Sequence, residues 1–165
     1  MNYSKIKYFD IANGPGIRTS LFVQGCPIHC PGCFNQETWD FNGGKLFSVG
    51  TERMVIESIS EHIAGLSILG GEPLCNENIP AVSGLVKMFG WIFPNKTIWL
   101  WTGYNWDIIK VLPIMDYIDV CVAGPFDVTK RDLSLKWCGS SNQQVIDVKK
   151  TKTAGKVVLY EENHH

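Results

Sequence analysis

Three cysteines fall within eight residues, at Cys26, Cys30 and Cys33, spaced C-x3-C-x2-C inside Gly25-Cys26-Pro27-Ile28-His29-Cys30-Pro31-Gly32-Cys33. Thiolates this close can converge on one inorganic centre without help from the rest of the fold. An iron–sulfur cube normally takes four cysteine ligands, so three leave one iron open to a small molecule. A structural zinc ion also wants four protein ligands, and three leave it one short. The first centre would be reactive and the second structural. Cys75, Cys121 and Cys138 are scattered, with no second C-x2-C. His29 is crowded by its neighbouring cysteines, and His62 lies far from the loop. The missing fourth ligand favours a cluster, with a zinc-binding module as the alternative.

A second unusual stretch is Gly70-Gly71-Glu72-Pro73, directly after the apolar run Leu66-Ser67-Ile68-Leu69. Its glycines let backbone approach a ligand closely, and Glu72 adds a negative charge suited to an amine. By itself such a stretch is more often only a turn. Thr102-Gly103-Tyr104, Gly124-Pro125-Phe126-Asp127 and the polar run Gly139-Ser140-Ser141-Asn142-Gln143 are further candidates. Thr102 suits either a cofactor contact or plain turn chemistry. The Ser140–Gln143 groups suit ribose or a partner's loop as well as they suit an ordinary polar surface. Cys75, Cys121 and Cys138 read as packing thiols.

The elements around these motifs alternate. Thr19 to Gly25 reads as a buried strand, with Asn13-Gly14-Pro15-Gly16 as the turn leading in. Thr51 is the expected N-cap of a helix reaching about Ala64, with Val55, Ile56, Ile59 and Ile63 on its inner face. Leu66 to Leu69 is a second strand. A helix starting near Pro80 turns Val82, Leu85, Val86 and Phe89 inward. Thr97 to Trp101 is a third strand, Asn105 caps a short helix, and Ile118 to Val122 is a fourth strand. Gln144 to Val148 is the last, with Lys156 to Tyr160 as a short antiparallel partner across a turn at Thr153-Ala154-Gly155. Strands alternating with helices predict an α/β fold with parallel strands, too short to close an eight-stranded barrel and so an open partial (βα) barrel. The cysteine loop, Gly-Gly-Glu-Pro, Thr-Gly-Tyr and Gly-Pro-Phe-Asp each follow a strand, and ligand sites in parallel α/β folds assemble at that edge.

The chain has 165 residues, 45% apolar and 19% charged, with net charge −1. That is one globular domain spanning 1–165, with His164 and His165 set aside as a potential tag remnant. There is no basic footprint for nucleic acid, and Lys149-Lys150-Thr151-Lys152 reads as a solvated turn. No apolar run approaches the ~20 residues of a membrane span, and Met1–Lys7 lacks the apolar core of a signal peptide. These features predict a cytoplasmic protein in a reducing compartment, where clustered cysteines serve metals rather than disulfides.

C-x3-C-x2-C followed by Gly-Gly-Glu-Pro resembles the radical S-adenosylmethionine superfamily. That resemblance implies a [4Fe-4S] cluster on Cys26, Cys30 and Cys33, with S-adenosylmethionine chelating the open iron. It also implies Gly70, Gly71, Glu72 and Pro73 around the methionine amino group, with Phe34, Asn35 and Thr102 as further cofactor contacts. Members often carry an aromatic residue just before the third cysteine; here Gly32 stands there and Phe34 follows. Asn13–Arg18, Leu21–Cys26, Cys33–Asn35, Trp99–Tyr104 and Gly139–Gln143 further resemble the activating proteins of anaerobic (class III) ribonucleoside-triphosphate reductases. This narrower resemblance implies reductive cleavage of S-adenosylmethionine to methionine and a 5'-deoxyadenosyl radical. Hydrogen abstraction from a glycine of the reductase large subunit would then leave a glycyl radical, with a flavodoxin-type protein as electron donor. An activase of another glycyl-radical enzyme, of formate-lyase type, is the nearest alternative.

Overall fold

A computed structural model of the protein describes residues 1–162; His164 and His165 lie outside the described residues. Seven strands form one open sheet in the order β3-β1-β2-β4-β5-β6-β7. They are β1 (Asn2–Asp10), β2 (Arg18–Val23), β3 (Lys45–Leu46), β4 (Gly65–Gly70), β5 (Thr97–Thr102), β6 (Val120–Ala123) and β7 (Gln144–Asp147). Helices α1 (Val49–Glu57), α2 (Ile79–Ile92), α3 (Trp106–Ile109) and α4 (Val148–Ala154) connect or follow them. The central strands β2, β4, β5 and β6 are parallel, as expected from the strand–helix alternation. The flanking strands β1, β3 and β7 are antiparallel, so the sheet is mixed. Antiparallel neighbours need only a short connection, and β1 reaches β2 through the seven-residue loop 11–17 instead of a crossover helix. No helix among the described residues is long and apolar enough to cross a membrane.

The sheet has two unlike faces. Leu21, Val23, Leu66, Ile68, Ile98, Leu100, Cys121 and Ile146 join Val55, Val82, Leu85, Val86 and Phe89 of the helices in one buried core. Side chains alternate along a strand. Ser20, Phe22, Ser67, Leu69, Trp99 and Trp101 therefore face the other side, which loops cover.

Several element boundaries differ from expectation. The stretch before Ile17 holds a nine-residue strand, β1, and not only a lead-in turn. Ser48, not Thr51, caps α1, accepting from the Thr51 backbone N–H. That helix ends at Glu57, where the Ser58 hydroxyl donates to the Val55 carbonyl. Ile59 and Ile63 are buried all the same. The Lys149–Lys152 patch sits on α4, capped by Asp147 and ended by Gly155 at φ 67°. Lys149, Lys150 and Lys152 pair with Asp119, Asp147 and Asp116. The segment after α4 turns back as a single bridge, Ile146 to Leu159, instead of a strand.

Candidate cluster and cofactor site

The cysteine loop leaves β2 through Gly25, whose φ of 94° and Cβ position, 2.2 Å from the Phe41 ring, admit only glycine. Two backbone bonds brace its start, from Gly25 N–H to Thr38 O and from Cys26 N–H to Trp39 O. The His29 ring stacks on Trp39 at 4.5 Å, with its backbone held at φ 52°. Cys26, Cys30 and Cys33 all stay partly exposed, as free thiols.

The Gly-Gly-Glu-Pro turn presses against this loop. Gly71 donates to Val23 O, and Glu72 to Gly25 O at 2.8 Å. A Cβ on Gly71 would lie 2.4 Å from that same Gly25 oxygen, so the approach depends on the glycine. Asn78, 1% exposed, stitches the two turns by donating to the carbonyls of Gln24, Gly25 and Glu72. Sequence reading missed it, because a lone Asn before a helix reads as a cap; its side chain makes no capping bond here.

Glu72 is 1% exposed and fully engaged. Its carboxylate accepts from Leu74 N–H, the Thr102 hydroxyl and Gly103 N–H. Burial raises its pKa against those three hydrogen bonds. Its charge is thus spent within the chain, tying the turn after β4 to the turn after β5.

These turns open onto one cavity of about 610 Å³. Its wall includes Cys26, Cys30, Cys33, Phe34 and Asn35 from the cysteine loop, and Gly70, Gly71 and Glu72 from the next turn. Thr102 and Gly103 add the turn after β5. Pro73 is buried behind the wall. Phe22, Leu69 and Trp101 form its sheet side, while Leu133, Leu135, Trp137 and Cys138 enter from the loop before β7. Cys138, read from the sequence as packing, is on this wall. Cys75 is not; it is buried, and burial pushes its thiol up to about 11. Of the polar run, Ser140 is buried with its hydroxyl accepting from Asp127 N–H. Gln143 lines the cavity and also bonds Gly139, Ser140 and Gly124. Another cavity, about 500 Å³ between α3 and α4, is lined by Trp106, Lys110 and Lys152 and takes in none of the strand-end motifs.

Gly32 has a structural reason. At φ 73°, a Cβ there would meet Val128 at 3.0 Å and the Phe126 ring at 3.6 Å. Phe126 in turn packs on Phe34 at 5.0 Å, so the aromatic surface near the third cysteine comes from Phe34 and from the loop after β6. Both rings line the cavity.

The loop before β2 reaches the wall through a buried network. Asp10, 2% exposed, accepts from Ser20, Asn13, Ala12 N–H and Lys7. Ser67 donates to Asn13 O at 2.6 Å. Arg18 is fully buried, donating to Ser67, Thr97, Leu66 O and Pro15 O. Burial lowers its pKa to about 10. The network sets Ala12 and Asn13 against the cavity.

The donor set fits an iron–sulfur cluster. Asn35 N–H donates to Cys33 Sγ at 3.4 Å. Burial raises the Cys26 and Cys30 pKa values, opposed by backbone hydrogen bonds from Ile28 and His29 to Cys26 and from Phe126 to Cys30. Amide donors on thiolate sulfurs are what cluster ligands use to spread charge. Among the described residues, no three His, Cys, Asp or Glu side chains converge closely enough to hold a single metal ion.

Residues 12–146 match the family model of a 4Fe-4S single cluster domain. The chain is 41% identical over 146 residues to the anaerobic ribonucleoside-triphosphate reductase-activating protein of Enterobacteria phage T4, covering 88% of this chain and 93% of that protein. It is 41% identical over 150 residues to the protein of the same name from Escherichia coli (strain K12), covering 88% and 97%. The Vibrio cholerae protein of that name is 39% identical over 150 residues, with the same coverage.

Proposed function

The chain belongs to the family of anaerobic ribonucleoside-triphosphate reductase-activating proteins with a 4Fe-4S single cluster domain, and from that membership we propose that it activates such a reductase by radical S-adenosylmethionine chemistry on an open partial-barrel scaffold. Cys26, Cys30 and Cys33 would hold the cluster. When bound, the cluster supplies the electron for reductive cleavage of S-adenosylmethionine, leading to hydrogen abstraction from a glycine of the reductase large subunit and a stored glycyl radical.

This chain's residues have definable parts in that chemistry. Gly70 and Gly71 would present bare backbone to the methionine end of S-adenosylmethionine; a Cβ on Gly71 would run into the Gly25 oxygen of the cysteine loop, and one on Gly70 into the Phe22–Val23 backbone of β2. Glu72 holds that backbone in place through Thr102 and Gly103, and Pro73 sets the turn from behind. Phe34 offers an aromatic face, and the Asn35 amide supports the Cys33 sulfur. Phe22, Leu69 and Trp101 exclude water from the sheet side of the cavity. The electron would come from a flavodoxin-type donor in the cytoplasm.

The observation that carries this reading is the convergence on one cavity wall of all three cysteines with Gly70, Gly71 and Glu72. The test is anaerobic reconstitution with iron and sulfide, then addition of S-adenosylmethionine and a reductant. The expected results are a bound cluster and 5'-deoxyadenosine. Absence of both would overturn the reading.

A further inference from the structure

The cavity of about 500 Å³ between α3 and α4 shares no lining residue with the one beside the cysteine loop. It is of small-molecule size. Its charge is one-sided: Lys110, Lys152 and Lys156 stand against a single acid, Asp107. That local excess of positive charge sits on a chain whose net charge is −1. Trp106 and Val157 add apolar surface to the same wall. A cation near a helix C-terminus has a reason of its own in the helix dipole. The dipole does not explain why lysines from α3, from α4 and from the turn after α4 share one hollow.

These cations are held in place but not used up. Lys110 pairs with Asp107 at 2.8 Å, and that carboxylate is 86% exposed. Lys152 pairs with Asp116, which is also exposed. Exposed pairs of this kind are weak enough to exchange partners. Lys156 makes no ion pair among the described residues. The backbone behind the lysines is fixed. Lys110 N–H closes α3 on the Trp106 carbonyl. Gly155 ends α4 in the left-handed region at φ 67°, which sends Lys156 and Val157 back along the helix. The buried Thr151 hydroxyl accepts from Val158 N–H at 2.9 Å and donates to Val158 O, pinning that return. An ordered wall lowers the cost of binding.

We propose that this cavity binds a phosphorylated small molecule of nucleotide size, with its phosphates on Lys110, Lys152 and Lys156 and its body against Trp106 and Val157. Lysine serves phosphate as a point charge on a flexible stem, which suits cations reaching in from separate elements. The excess of lysine over aspartate calls for a multiply charged ligand. The apolar part of the wall favours an organic ester over a bare inorganic anion. The site goes beyond the function proposed above and uses none of the cluster-loop residues.

The test is isothermal titration calorimetry of the whole chain in magnesium-free buffer, with ATP, inorganic tripolyphosphate and adenosine as the probes. Lys110→Gln combined with Lys156→Gln removes two charges from the wall. Lys87→Gln combined with Lys150→Gln removes as much charge from α2 and α4 outside the cavity. Equal thermal midpoints for the two double variants and wild type show that all three are folded. The expected result is that ATP binds, tripolyphosphate binds at least threefold more weakly, and adenosine does not bind. The wall variant should lose at least tenfold in ATP affinity and the outside variant less than twofold. Binding should also weaken as salt rises, because the contacts are between charges near solvent. Absence of ATP binding would overturn the site. Equal losses in the two double variants would overturn it as well, by showing attraction to the chain's overall charge. Full ATP affinity in the wall variant would place the ligand elsewhere, and tripolyphosphate bound as tightly as ATP would overturn the organic body.

Discussion

Glu72 accepts a 2.7 Å hydrogen bond from the Thr102 hydroxyl, thirty residues further along the chain, with both side chains buried. The same hydroxyl accepts from Tyr104 N–H, so it terminates β5 and anchors the turn after β4 together. Thr102→Val keeps the shape but removes both bonds. Leaving a buried carboxylate oxygen short of a donor costs about 1–3 kcal/mol. The expected outcome is a lower thermal midpoint and weaker S-adenosylmethionine binding, measured by anaerobic calorimetry on the reconstituted protein.

Cluster binding should follow the loop and nothing else. Cys26→Ala, Cys30→Ala or Cys33→Ala should each abolish stoichiometric iron and sulfide after reconstitution. Cys75→Ala and Cys138→Ala should retain both, although Cys138 lines the same cavity. Iron and acid-labile sulfide analysis decides the assignment, and loss of cluster in the Cys138 variant would add a fourth ligand.

Asp10 links folding to pH. Desolvation raises its pKa, but hydrogen bonds from Ser20, Asn13, Ala12 and Lys7 outweigh this and leave it below the ordinary 3.8. The unfolded chain therefore takes up a proton at higher pH than the folded one. The stabilising contribution is present above pH 3.8 and is lost as pH falls through the depressed folded value. Denaturant melts of Asp10→Asn against wild type should show a smaller stability difference at acid pH than at neutrality.

Arg18 supports the sheet beneath the site. Arg18→Met would leave Leu66 O and Thr97 O without their guanidinium donor inside the protein. At about 1–3 kcal/mol for each unmet acceptor, a loss of several kcal/mol is expected. Arg18→Lys should not rescue it, because a point ammonium cannot span acceptors on Ser67, Thr97 and Leu66 as the planar fork does. Urea midpoints of the two variants test this.

Gly32 should resist replacement. An alanine there must adopt φ 73° and push Val128 aside from 3.0 Å. Gly32→Ala is expected to destabilise by about 1–3 kcal/mol, and an aromatic residue by more. Thermal midpoints in that order would support Phe34 and Phe126 as the aromatic surface beside Cys33.

The parallel centre of the sheet was legible because Leu21–Val23, Leu66–Leu69 and Thr97–Trp101 are apolar runs buried on both faces. The site was legible because its cysteines are local and its turns follow those strands. β1 escaped notice since all its residues but Asp10 are half-exposed or exposed and it carries Lys5, Lys7 and a break at Phe9, giving weak alternation. α4 escaped because seven residues with only Val148 and Thr151 buried show no period. Asn78 and Leu133 act through contacts far apart in the chain, which no local pattern encodes. The Glu72 charge was anticipated as facing a ligand's amine, but its three internal donors are visible only once β4 and β5 lie side by side.

The three thiols lie within eight consecutive residues on a partly exposed loop, whereas the cavity around them draws on residues from Ala12 to Gln143. The scaffold's core is built from helices packed on the far face of the sheet and involves none of those thiols. Damage by oxygen should therefore strip the metal and leave the rest standing. If the proposed cluster is held there, iron and sulfide should be resupplied to a folded shell without a new round of folding.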